Sequence, residues 1–137
     1  MTQRWSQENL VIDTHVLVWY AENNPQLNPD IRDKLNLDQS SVIVSAVLLW
    51  ELMLLVEKGR IDAKGKTPEV YAMGLFERSG FREAPLTANM ALLSRTLPFR
   101  HEDPADRFIA ATAISLNLPL VTYDQKLIQL PWLKTIS

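Results

Sequence analysis

Leu10-Val11-Ile12-Asp13 is a short apolar run that stops at a carboxylate, and Val42-Ile43-Val44-Ser45 repeats the arrangement with a hydroxyl at its end. Unbroken runs of this length read as strands buried on both faces, the mark of a parallel sheet. Parallel strands need long crossovers, and helix signals stand where those crossovers belong. Asn28-Pro29 couples an N-cap to a first-turn proline and opens a helix to about Leu37. Ser45 caps a longer helix that ends near Lys58-Gly59, where a basic last turn and a glycine supply the stop. Thr67-Pro68-Glu69 starts another, closed by Gly80, and Thr87 opens one to about Leu97. Asp103-Pro104-Ala105-Asp106 is the clearest start in the chain: a capping carboxylate, proline at the first position and a second acid in the first turn. Ala110, Ala111 and Ala113 give that helix a small face able to pack closely.

Further strands are predicted at residues 81–84, kept short or at an edge by Pro85, at 118–122, and at 132–136, with a short helical turn opened by Asp124. Strands alternating with helices predict an α/β protein, a three-layer α/β/α sandwich around a central, mainly parallel sheet of about five strands. No linker, repeat or low-complexity tract interrupts the pattern, so residues 1–137 are expected to form a single domain.

Composition narrows the chemistry. Apolar residues make up 47% and charged residues 22% of the 137, which excludes a disordered tail. With no cysteine there is no disulfide, thiolate zinc site or cysteine nucleophile, and a net charge of -2 argues against nucleic-acid binding by bulk positive charge. Residues 1–9 lack the apolar core of a signal peptide, and the longest apolar stretch, 42–56, is interrupted by Ser45 and Glu51. An intracellular, cytoplasmic protein without a membrane segment is expected.

Ligands of parallel α/β sheets bind at the carboxyl ends of the strands. Asp13 ends the first strand there, Asp124 follows the fourth, and Asp106 lies in the first turn of a helix whose N-terminus faces that edge. Glu51, about two turns into the second crossover, has a long side chain that leans back toward its helix N-terminus. Its neighbours Leu48, Leu49, Trp50, Leu52, Met53, Leu54 and Leu55 are apolar, and a carboxylate among them is costly unless paired or bound to a cation. Singly, each acid is more simply a cap or turn residue. Jointly, four acids without matching lysines point to a hard divalent cation, Mg²⁺ or Mn²⁺. The four glycines form neither a phosphate loop nor a dinucleotide fingerprint. His15 and His101 are more simply surface residues, and the tryptophans at 5, 19, 50 and 132 core or interface residues.

Val11-Ile12-Asp13-Thr14-His15, Ser45-Ala46 with Trp50-Glu51 and Lys58-Gly59-Arg60, residues 101–107 (His-Glu-Asp-Pro-Ala-Asp-Arg), and Leu120-Val121-Thr122-Tyr123-Asp124 together resemble the PIN-domain ribonucleases. Most similar is the toxin component of VapBC-type toxin–antitoxin pairs. The resemblance implies a metal-dependent endoribonuclease that hydrolyses RNA phosphodiesters, with Mg²⁺ or Mn²⁺ held by Asp13, Glu51, Asp106 and Asp124. It places strand-end hydroxyls at Thr14, Ser45 and Thr122 beside the substrate, and it implies a small antitoxin encoded nearby and a homodimer. Arg100 and Arg107 are the first candidates for contact with the RNA backbone, ahead of Arg60 and Lys58. The chain departs from many relatives in having Leu55 where a basic residue follows the helix glutamate, and Ala105 where an aromatic is common.

Two other readings compete. In an acid-based phosphatase Asp13 would be a nucleophile, but the second aspartate such enzymes carry two positions on is replaced by His15. A nonenzymatic PIN-like interaction module would be marked by loss of an acid, and none of the four is missing.

Overall fold

The computed structural model describes residues 9–100 and 102–137. Sequence readings that concern residues 1–8, Trp5 among them, and His101 lie outside these. Five strands form one sheet in the order β3-β2-β1-β4-β5: β1 (Leu10–Ile12), β2 (Val42–Ser45), β3 (Arg82–Ala84), β4 (Leu120–Val121) and β5 (Thr135–Ile136). Every pairing is parallel, with Val11 opposite Ile43 on one side and Leu120 on the other. The sheet is therefore parallel throughout, stricter than the mainly parallel expectation. Val11, Ile12, Val42, Val44 and Leu120 are completely buried, as strands covered on both faces require.

Seven α-helices lie between the strands: α1 (Thr14–Ala21), α2 (Pro29–Leu37), α3 (Ala46–Glu57), α4 (Pro68–Ser79), α5 (Ala88–Thr96), α6 (Pro104–Leu116) and α7 (Gln125–Ile128). The caps read from the sequence are in place. Asn28, Ser45, Thr67, Thr87, Asp103 and Asp124 each accept a hydrogen bond from a first-turn amide. Helix α1 is the addition. It begins directly at Asp13, upstream of the Asn28 start, and its run Thr-His-Val-Leu-Val-Trp-Tyr-Ala carries no proline or first-turn acid to announce it. Strands β4 and β5 are shorter than expected, and at β5 the amides of Leu130 and Leu133 are used in turns that occupy its approach.

Connections β1-β2-β3 step outward in one direction, and the chain then returns across the sheet to β4 and β5 on the other side of β1. Right-handed crossovers in opposite directions put helices on opposite faces, which gives the three-layer sandwich. Helices α1, α3 and α4 pack on one another, α5 packs along α6, and α3 also meets α6. Ala110, Ala111 and Ala113 are fully buried and Leu48 and Leu52 carry α3 into the core, each such leucine contributing about 1.5–3 kcal/mol. Trp50, by contrast, is 53% exposed, so α3 is buried along one stripe only and Trp50 is no core residue. Trp19 and Trp132 are the tryptophans that pack against the core among the described residues. No helix among these residues is long and apolar enough to cross a membrane.

Candidate functional site

The strand order reverses between β1 and β4, and a parallel sheet opens a crevice at the carboxyl ends of its strands at such a point. A cavity of about 410 Å³ lies there. Five carboxylates line it, Asp13, Glu51, Asp103, Asp106 and Asp124, together with Thr14, His15, Trp19, Leu55, Arg60 and Tyr123.

Each acid is delivered by a local device. Asp13 ends β1 and caps α1: one carboxylate oxygen accepts from the Val16 amide at 3.2 Å, and the other accepts from the Thr122 hydroxyl beyond β4. That hydroxyl in turn accepts from the Asp124 amide at 3.1 Å, so a single buried threonine ties the ends of β1 and β4 together. Asp124 caps α7 through the Lys126 amide at 2.9 Å. Thr14 donates to Glu51, which aims the half-buried glutamate of α3 across to α1. Asp103 caps α6 by accepting from the amides of Ala105 at 3.0 Å and Asp106 at 3.4 Å. The tightest group consists of Glu51, Asp103 and Asp106, which offer oxygens within 4.8 Å of one another.

Crowding shows in the acidities. Burial, followed by repulsion from Asp103, Asp124, Glu51 and Asp13, raises the Asp106 carboxyl to about 8. Burial raises Asp13 to about 6 although hydrogen bonds from Thr122 and Val16 oppose the shift. Glu51 is also raised, by burial first and by Asp103 and Asp124 after it, against the Thr14 hydrogen bond. Carboxyls that resist ionisation in a shared cavity are the expected state of a cation site without its cation. The donors of the Glu51, Asp103 and Asp106 group are all carboxylate oxygens, which fits a hard divalent ion such as Mg²⁺ or Mn²⁺.

Thus the four acids picked from the sequence converge on one cavity, and Asp103 joins them as part of the closest trio. Thr14 lines the cavity as well. Ser45 and Thr122 do not: Ser45 is buried and spends its oxygen on the Val47 amide, and Thr122 is wholly buried behind Asp13 and Asp124. Arg107 is also elsewhere, 7% exposed, with its guanidinium donating to the carbonyls of Ser94 at 2.8 Å and Phe99 at 2.7 Å. It clamps the last turn of α5 to the α5–α6 connection and does not line the cavity. Arg100 is exposed but outside the lining.

Among the described residues Arg60 is the arginine that lines the cavity. Gly59 adopts φ +74 just past α3, with Gly59 N–H donating to the Val56 carbonyl and Arg60 N–H to that of Leu55 at 2.8 Å. This left-handed helix ending folds the chain back and brings Arg60 alongside Leu55 at the cavity. The aromatic lining escaped sequence reading altogether. His15 and Trp19 lie one turn apart on α1, a spacing that puts them on one face, and Trp19 meets Tyr123 with ring centres 5.3 Å apart.

A family model described as PIN domain matches residues 10–133. A search of curated proteins finds no match. Among solved structures the chain is similar to DNA-bound VapBC from Salmonella typhimurium, at 20% identity over 93% of this chain and 96% of that one, with a TM-score of 0.70. It is similar to FitAcB from Neisseria gonorrhoeae at 22% identity, 93% and 96% coverage and a TM-score of 0.67. It is also similar to VapC20 of Mycobacterium tuberculosis, a Sarcin-Ricin loop cleaving toxin, at 17% identity, 85% and 91% coverage and a TM-score of 0.57. At these identities the likeness is one of fold. The family match runs from the start of β1 to the approach to β5 and takes in the switch point with every acid around it: the chain belongs to the PIN domain family.

Proposed function

We propose that this protein is a metal-dependent endoribonuclease and the toxin of a toxin–antitoxin pair. The observation that carries the reading is the five-carboxylate cavity at the switch point, in which burial raises Asp13, Glu51 and Asp106 from their ordinary values. Glu51, Asp103 and Asp106 would hold a Mg²⁺ or Mn²⁺ ion, with Asp13 and Asp124 beside them. Such an ion, when bound, neutralises a phosphodiester and makes water a competent nucleophile near neutral pH. The chain's own residues orient that chemistry. Thr122 fixes Asp13 against the turn of Asp124, Thr14 fixes Glu51, and Arg60 supplies positive charge at a lining that is otherwise acidic. No histidine is required as a base.

The toxin assignment is supported by the fold, which is shared with a VapBC complex and with a toxin that cleaves the Sarcin-Ricin loop. It brings with it a small antitoxin encoded nearby, a homodimer and a cytoplasmic setting.

Incubation of the purified protein with a mixed RNA pool tests the reading. Cleavage is expected with Mg²⁺ or Mn²⁺, and none with excess EDTA or in Asp13→Asn. Undiminished cleavage in EDTA would overturn the metal assignment, and no cleavage under any condition would overturn the activity. Co-purification with the product of an adjacent small gene tests the toxin assignment.

A further inference from the structure

We propose that Trp19 and Tyr123 form a nucleobase subsite, against which a base next to the scissile phosphate stacks while the phosphate lies at the acids. This deepens the ribonuclease reading and rests on it. The two rings share the cavity with the carboxylates, so a ligand whose phosphate reaches the acids has an aromatic surface within the same space. The volume, about 410 Å³, lies in the range of about 300–1,000 Å³ typical of small-ligand pockets.

Both rings are anchored. Asp13 caps the start of α1 and so fixes the helix carrying Trp19, while the Tyr123 hydroxyl accepts a hydrogen bond at 3.1 Å from the Asn28 amide. The rings meet at 59°, and both stay partly exposed although they pack against the core. His15, exposed and one turn before Trp19, extends the wall outward.

Charge explains the need for it. Arg60 is the only lysine or arginine lining the cavity among the described residues, facing five carboxylates. Attraction for phosphates is therefore weak by comparison with nucleases that use a basic groove. Stacking on an aromatic face recruits a nucleotide without positive charge and tolerates any base, but it demands that the base be unstacked from its own helix.

Fluorescence anisotropy of a short labelled single-stranded RNA, with Ca²⁺ in place of Mg²⁺, measures the contribution apart from turnover. Trp19→Leu and Tyr123→Leu should each weaken binding by about tenfold, Trp19→Phe should retain most of it, and the same RNA annealed to its complement should bind all forms weakly. An abasic nucleotide scanned along the RNA should lower wild-type affinity at one position, a result that does not depend on any variant folding. Unchanged affinity in folded Trp19→Leu, or an abasic scan without effect, overturns the subsite. If wild type cleaves the RNA pool while those results hold, the ribonuclease reading stands and the subsite alone falls. If wild type neither binds nor cleaves RNA, both fall. Loss of binding to an adjacent-gene protein in Trp19→Leu, with RNA affinity intact, also overturns it and makes the wall a protein contact.

Discussion

Replacement of Asp106 by asparagine should stabilise the metal-free protein at alkaline pH and remove its response to Mn²⁺. Asp106 is 9% exposed, and burial together with four neighbouring acids raises it to about 8 from 3.8. Between those values the folded chain keeps a proton that the unfolded chain has released. The folded state then binds more protons, so stability is full below the unfolded value and falls as pH rises through the folded one. Each unit of difference corresponds to about 1.4 kcal/mol, which sets a ceiling of roughly 6 kcal/mol for the rise from 3.8 to about 8. Water entry and side-chain relaxation in an open cavity reduce this to an expected gain of about 2–3 kcal/mol for Asp106→Asn above pH 8. In a chain of this length that gain raises Tm by roughly 6–12 °C. The gain should shrink toward zero near pH 4. Asp13, raised to about 6, has the same sign over a narrower window and remains in both proteins. Saturating Mn²⁺ should reverse the order: at a thousand times Kd a ligand adds about 4.1 kcal/mol to wild type, and the variant, short of one ligand, should gain little. Melting curves of both proteins from pH 4 to 9, with and without Mn²⁺, decide the matter. Parallel pH dependences would refute the buried, repelled carboxyl, and equal Mn²⁺ shifts would refute Asp106 as a ligand.

Asp13→Asn should keep the fold, because an amide oxygen can still accept from Val16, and should lower RNA cleavage by at least about a hundredfold; near-wild-type turnover would remove Asp13 from the site. Arg107→Ala should cost about 2–4 kcal/mol by orphaning the buried carbonyl of Ser94 and removing a donor from that of Phe99, as measured by urea unfolding. A neutral effect would contradict its clamping role. Gly59→Ala adds a Cβ that meets nothing within 4 Å, so its cost is the left-handed backbone alone, about 1–2 kcal/mol. Because Arg60 is aimed by that turn, the variant should also raise KM for RNA, and an unaltered KM would detach Arg60 from substrate binding.

Strand and helix order, the caps and the edge to which the acids go were legible in the linear chain because each depends on neighbours in sequence. An apolar run reports a buried strand, and Asp-Pro-x-Asp reports a helix start whatever packs around it. The convergence of Asp13, Glu51, Asp106 and Asp124 followed once a parallel sheet was inferred, since topology alone carries strand ends and helix N-termini to one side. Tertiary packing decided the rest. Helix α1 has no start signal beyond Asp13 itself, whose capping bond is visible only when Val16 sits over it. Arg107 and Arg60 are chemically alike in the sequence; the carbonyls of Ser94 and Phe99 hold the first in a buried place, while a left-handed glycine turns the second into the cavity. Trp19 and Tyr123 lie far apart in the chain and become one wall only because β1 and β4 are neighbours. Local periodicity determines which elements form, but a side chain's role is set by which distant groups arrive beside it, and that is decided only when the sheet closes.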